Sequence, residues 1–234
     1  MSIREDIRIL AARANRAFDE VHDFYVHSEF IWSSFVETVA SGKVVQLRNK
    51  VTGNTVDQDD LVRLSAEYAA KYLITFTFRQ FVSTFEVFLF DFLHRVLMHN
   101  PWQFGATQLT FEVVLKARDR EEVISGVIAR RLNELKYERL SDWFDTLKKA
   151  LRLDLPGDDE IAVLTEIKAA RDLLEHNAGV VNETYLRKVG KRARYELDEE
   201  VQLDDDYLHE CWLLMKKVVD DVTGGTLARM ATAE

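Results

Sequence analysis

Phe78, Phe81, Phe85, Phe88 and Phe92 recur at steps of three and four. An α-helix turns once in about 3.6 residues, so that spacing sets five rings on one face. A stripe of this kind needs an apolar partner along its length, which makes the segment a core helix or a helix–helix interface. Phe76, Val82, Val87, Leu89, Phe90 and Leu93 widen the apolar surface beyond one stripe. The helix therefore reads as central, buried on several sides or shared with a second subunit. Its most hydrophobic window, residues 72–93, is interrupted by Arg79, Glu86 and Asp91, which argues against a membrane span.

The rest of the chain reads as helices packed around this one. Two prolines and nine glycines punctuate a sequence that is 47% hydrophobic, so the elements are long and the core is real. Ser2-Ile3-Arg4-Glu5 has capping-box spacing and starts a helix towards Ala40. Residues 42–57 break the pattern as a small β-hairpin or an irregular loop. Asp57-Gln58-Asp59-Asp60 supplies acceptors for the next helix, predicted as the longest and ending at Asn100-Pro101. After a connection at 101–110, helical patterns resume over 121–137 and 141–151. Leu155-Pro156-Gly157 stops the chain, and a helix from Asp158 ends near Asn177, with Gly179 suited to a left-handed cap.

A short helical turn over 183–186 and a charge-dense, hairpin-like stretch over 187–203 precede the last helix. That helix is predicted to begin at Asp204-Asp205-Asp206, run to Val222 and stop at Gly224-Gly225, leaving a frayed tail. The fold class is thus an all-α bundle around a long central helix, with room for small β-hairpin insertions. No repeat or linker is visible, so one domain is the working assumption. Residues 1–56 read as an N-terminal helix and loop extension, 57–224 as the bundle, and 225–234 as the tail.

The single cysteine, Cys211, rules out an intramolecular disulfide framework and points to a reducing, cytoplasmic setting. Its neighbours, Glu210 and Trp212-Leu213-Leu214, form a helix face, so the thiol reads as a small buried hydrophobe. The first twenty residues carry charges throughout and show no secretory h-region. The net charge of −9 will not attract polyanions, so any nucleic-acid binding needs a local basic patch.

One segment carries chemistry: Arg171-Asp172-Leu173-Leu174-Glu175-His176. Leu164, Ile167 and Leu174 share an apolar stripe, and heptad spacing puts Arg171 on it. A guanidinium there is costly unless it is paired or reaches a wet cleft. Glu175, four residues on, offers an ordinary ion pair on the same helix. His176 falls in the last turn, where the helix dipole favours a cation. It is either a passive end residue or a proton-transfer group. Positions 171 and 176 lie about 140° apart on an ideal helix. A joint site then requires Arg171 to wrap round or a second subunit to bring its own pair, which points to a dimer.

Arg171, the polar Asp172, His176 and the tail Asn177-Ala178-Gly179-Val180-Val181 resemble the R-x(4–6)-H signature of the HEPN superfamily, all-helical domains that include endoribonucleases of bacterial defence and toxin–antitoxin systems. The chain is similar to the RiboL-PSP-HEPN branch over roughly residues 60–222. The matching features are Phe85-Glu86 in the long helix, the lead-in Leu164-Thr165-Glu166-Ile167, and Tyr185-Leu186 after the motif. The resemblance implies a homodimer whose paired motif helices form a composite, metal-independent RNA-cleaving cleft. In that scheme His176 exchanges protons and Arg171 holds the phosphate. Asp172 stands where the family has Asn, Asp or His, and either orients His176 or weakens anion binding. A cognate antitoxin or defence partner belongs to the same expectation, as does a HEPN module without nuclease activity that serves dimerisation or partner binding.

Two further features bear on function. Arg187, Lys188, Lys191, Arg192 and Arg194 crowd into eight positions of an acidic chain and are RNA-contact candidates. The other reading is a solvated loop offset by Glu196, Asp198, Glu199 and Glu200. Arg130-Arg131 reads as ordinary helix surface. His22/His27 and His94/His99 lack the i,i+4 spacing of a helical metal site, and His209 stands alone, so no metal or other cofactor is expected.

Overall fold

The N-terminal cap forms at Ser2, the residue its spacing predicts, through one of the two bonds of a capping box. The Ser2 hydroxyl accepts the Glu5 N–H at 3.3 Å and opens α1 (Ile3–Ala40) in a computed structural model that describes residues 2–43, 46–104 and 109–232. A two-residue antiparallel pair follows, β1 (Leu47–Arg48) with β2 (Thr55–Val56), Leu47 opposite Val56. This is the small hairpin that residues 42–57 allowed; Val44 and Val45 lie outside the described residues. The remaining helices are α2 (Gln58–Glu67), α3 (Ile74–His99), α4 (Phe111–Lys116), α5 (Arg120–Leu135), α6 (Leu140–Leu151), α7 (Asp158–His176), α8 (Glu183–Val189) and α9 (Asp205–Thr232). The architecture is an all-α bundle. Among the described residues no helix is long and apolar enough to cross a membrane.

The phenylalanine stripe is the axis of the bundle. Phe78, Phe81 and Phe92 are fully buried, and Phe85 and Phe88 nearly so. Its rings meet different helices: Phe81 packs on Phe18 of α1, Phe78 on Tyr207 of α9, and Phe85 on Phe144 of α6. The predicted single helix over 57–100 is divided. A π-helical turn, Tyr68–Leu73, joins α2 to α3. Such a turn carries an extra residue and re-phases the helix. Tyr68 and Tyr72 stay exposed, whereas Ile74, Thr77 and Phe78 face the core. Ile7, Ala11, Ala14 and Phe18 of α1 are buried in that same core, so the first helix belongs to the bundle along its N-terminal half.

The last helix departs from expectation. It does not stop at Gly224-Gly225 but continues to Thr232. A Cβ at Gly225 would lie 3.1 Å from Leu153 Cδ1, so this glycine answers a close packing contact with the loop after α6. Arg4 Nη2 donates to the Met230 carbonyl at 2.6 Å and ties the C-terminal turns back to α1.

The exit from α7 forms as the glycine predicted. Gly179 takes φ +79° and its N–H bonds the Leu173 carbonyl at 3.0 Å. The helical turn expected over 183–186 forms as α8 and runs on to Val189; the stretch expected to be hairpin-like then makes a 3-10 turn at Gly190–Arg192 and an isolated bridge from Glu200 to Val180. Behind it Glu166 of α7, 3% exposed, accepts the hydroxyls of Tyr185 at 2.8 Å and Tyr207 at 2.6 Å. One buried carboxylate thus joins α7, α8 and α9. Cys211 is buried beside this group, and that burial pushes its thiol up, away from the reactive thiolate.

Burial raises the Glu166 carboxyl above its ordinary range, against the opposing effect of the two tyrosine hydrogen bonds. An acid raised in the folded state holds its proton more tightly there. Its relative contribution is therefore present at low pH and lost as pH climbs from the ordinary glutamate range through the raised folded value. Glu166→Gln cannot ionise. Urea denaturation between about pH 4 and pH 8 is expected to show wild type losing stability relative to Glu166→Gln as pH rises. A gap that does not change with pH contradicts the raised value.

Candidate functional site

The last two turns of α7 lie against the middle of α3, and the charges of both helices meet there. Arg171 Nη2 donates to Glu86 Oε1 at 2.5 Å, and its Nη1 lies 3.4 Å from Asp172 Oδ1. Lys168, one turn earlier on α7, reaches Glu86 at 3.1 Å and Asp172 at 3.4 Å. Lys188 of α8 approaches the other Asp172 oxygen at 3.5 Å. Three cations and two carboxylates therefore form one network. The Arg171 side chain is 16% exposed, and its Nε is buried without a hydrogen-bond partner.

Arg171 does not use Glu175, the same-helix partner that the sequence offered. Glu175 instead accepts Arg79 Nε of α3 at 2.5 Å, and this hydrogen bond holds the Glu175 carboxyl below its usual range. The reason is directional: Glu175 faces the α3 position one turn from Phe76, while Arg171 reaches towards Glu86.

Arg171, Asp172 and His176 line one cleft of about 580 Å³ together with Glu86, Lys168 and Lys188. The 140° between positions 171 and 176 does not separate them. Arg171 extends across to α3, and His176 stands exposed at the open end of the helix, so a single chain supplies both to the same space.

The basic run divides. Lys188 lines this cleft, and Arg187 joins it in lining an adjoining cavity. Lys191 is exposed on the 3-10 turn. Arg192 turns to Asp159 at 2.5 Å. Arg194 lies 3.9 Å from the ring centroid of Tyr207, within the group around Glu166. Arg130 pairs with Glu134 on the α5 surface, as expected of ordinary helix charges, and Arg131 reaches Glu138 in the turn that follows.

The histidines away from α7 include one cluster. His22 stacks on Trp212 at 4.2 Å with His209 at 5.7 Å, and burial is the first cause of a lowered His22 pKa. Among the described residues no group of three or more His, Cys, Asp or Glu side chains is arranged to hold a metal. Sequence reasoning missed Lys168 as a member of the site and Glu86 as the partner of Arg171. The available signals were Lys168 at three and four residues before Arg171 and Asp172, and a glutamate inside an otherwise apolar helix.

Comparison with models of known protein families, with curated proteins and with solved structures found no match. The chemistry assigned to this cleft stands on its residues.

The two α3–α7 pairs differ in burial, which sets their weights. Removing Glu86 leaves a largely buried guanidinium short of its main acceptor, worth about 1–3 kcal/mol. Removing Glu175 breaks a more open pair, worth at most about 1 kcal/mol. Chemical denaturation is expected to show Glu86→Ala clearly less stable than Glu175→Ala; equal losses refute this ordering.

Proposed function

We propose that this protein is an endoribonuclease of the HEPN type that needs no metal. The observation that carries the reading is the convergence of Arg171, Asp172 and His176 on one cleft with Lys168 and Lys188. A phosphate entering there meets Arg171, whose planar fork has five N–H donors, only some of them engaged by Glu86 and Asp172. Asp172 accepts a hydrogen bond from Lys168 and forms ion pairs with Lys188 and Arg171, so its role is to hold the cations in place. The RNA 2′-hydroxyl oxygen attacks the adjacent phosphorus and the P–O5′ bond breaks. The products are a 2′,3′-cyclic phosphate and a 5′-hydroxyl. One proton leaves the 2′-oxygen and one arrives at the 5′-oxygen, transfers suited to the exposed imidazole of His176. A second copy of the chain, bringing its own His176, would serve the opposite end of the reaction, and a partner protein that restrains the activity belongs to the same reading.

A second reading has its own observation. Four carboxylates, Glu86, Asp91, Glu138 and Asp172, line the cleft against four cations, Lys136, Lys168, Arg171 and Lys188. That balance weakens attraction for a polyanion, and Phe24, Phe30 and Ile31 are more than half exposed on α1. Both features suit a catalytically silent helical module that binds a protein partner.

An RNA digest in EDTA separates the two. Wild type is expected to yield cyclic-phosphate and 5′-hydroxyl ends, and His176→Ala to lose roughly 10²–10⁴-fold in rate with unchanged circular dichroism. Intact RNA with wild-type protein, alongside tight capture of a cognate protein, supports the silent module.

A further inference from the structure

A second cavity, of about 660 Å³, adjoins the cleft that holds Arg171 and His176. Tyr137, Glu138, Lys168, Asp172 and Lys188 line both, so the two form one continuous trough. Tyr137 stands at their shared wall, in the turn between α5 and α6, and is 87% exposed. Its ring takes no part in the core. Isolated exposed aromatics are common on proteins, so exposure alone carries nothing. Its place does: an open aromatic ring lines both cavities, as do Lys168 and Lys188.

From this arrangement we infer that the second cavity is a nucleotide subsite. It receives the nucleotide one step beyond the two that flank the scissile phosphate of a single-stranded RNA, with its base against Tyr137 and the phosphate that joins it to the flanking pair at Lys188. The inference rests on the endoribonuclease reading for the position of the scissile bond. The chemistry of the cavity favours a nucleoside over a small polyanion. Five carboxylates, Glu138, Asp142, Asp145, Asp158 and Asp172, line it with four cations, Arg139, Lys168, Arg187 and Lys188, so its wall has mixed sign with an excess of acid. Free phosphate or a polyphosphate meets repulsion there. A nucleoside brings base N–H groups and ribose hydroxyls that donate to carboxylates, and a flat ring that stacks. Ile161 and Ala162 of α7 add an apolar section to the same cavity, suited to the face of a base. Lys188 sits where the two cavities meet, placed for the phosphate that links one nucleotide to the next.

Oligonucleotides that cannot be cleaved test the subsite apart from the chemistry. Labelled 2′-O-methyl dinucleotides and tetranucleotides are titrated with the full chain at low salt and followed by fluorescence anisotropy. Wild type is expected to bind the tetranucleotide more tightly than the dinucleotide. Tyr137→Ala should lose roughly ten-fold on the tetranucleotide, the scale of one stacked base. It should lose little on the dinucleotide, and Tyr137→Phe should retain wild-type binding of both. Three results overturn the subsite: no binding of either oligonucleotide, a Tyr137→Ala variant that binds like wild type, or one that loses equally on both lengths. A parallel digest of 2′-hydroxyl RNA separates the two readings. Length-dependent, Tyr137-dependent binding without cleavage leaves the subsite standing and removes the endoribonuclease. Cleavage that is indifferent to Tyr137, with binding equally indifferent, does the reverse.

Discussion

Two ion pairs, Glu86 with Arg171 and Arg79 with Glu175, hold α7 against α3, and the site exists because they do. The pairing order, lower α3 number with higher α7 number, sets the helices antiparallel. A helix as apolar as α3 packs well with many neighbours, since burial is not directional. Charges on such a helix are directional: each must meet its opposite or water. They therefore select one register of α7 from those that the apolar surfaces would tolerate. That register brings His176 to the end of the cleft lined by Glu86.

The Glu166 cluster does for the far side of α7 what those pairs do for the near side. Tyr185 and Tyr207 donate to the same carboxylate from α8 and α9, and Arg194 covers the Tyr207 ring. Lys188 lies one helical turn beyond Tyr185 on α8. Fixing the tyrosine therefore fixes where the lysine approaches Asp172. Lys188 is thereby placed by contacts outside the cleft, while Arg171 and Asp172 are held by the ion pairs within it. Preorganised charges of this kind need no rearrangement when an anion arrives.

Local signals in the sequence were legible and distant ones were not. The phenylalanine stripe, the Ser2 cap and the Gly179 cap each depend on residues within a turn or two, and each formed where its spacing placed it. Arg171 was legible as an anomaly because it broke an apolar stripe. Its partner was not, because Glu86 lies 85 residues away and nothing local tells a paired glutamate from a solvated one. The charges that argued against a membrane span, Arg79 and Glu86, turn out to be the residues that bind α7. Gly224-Gly225 was misread for the same reason: a glycine that ends a helix and a glycine that makes room for Leu153 are identical in sequence. The π-helical turn at Tyr68–Leu73 likewise follows from how α2 and α3 must each face α1, a tertiary demand.

On the proposed endoribonuclease reading, the near-neutral cleft of an acidic protein constrains how RNA is recognised. With a net charge of −9, long-range steering opposes the approach of RNA, so binding cannot rely on the overall field. Within the cleft Glu86 and Asp172 keep Lys168, Arg171 and Lys188 in place, and the equal number of carboxylates and cations lowers the potential that a phosphate feels. A single phosphate thus gains little beyond what Glu86 and Asp172 already provide. Affinity must come from contacts that do not depend on net charge. Base stacking on an exposed ring and hydrogen bonds from base edges to carboxylates are of that kind, and both weaken less with salt than ion pairing does. On that reading, a mixed-sign trough with an aromatic wall suits a single-stranded, base-exposed chain better than a duplex, whose bases are hidden and whose phosphates are what it offers.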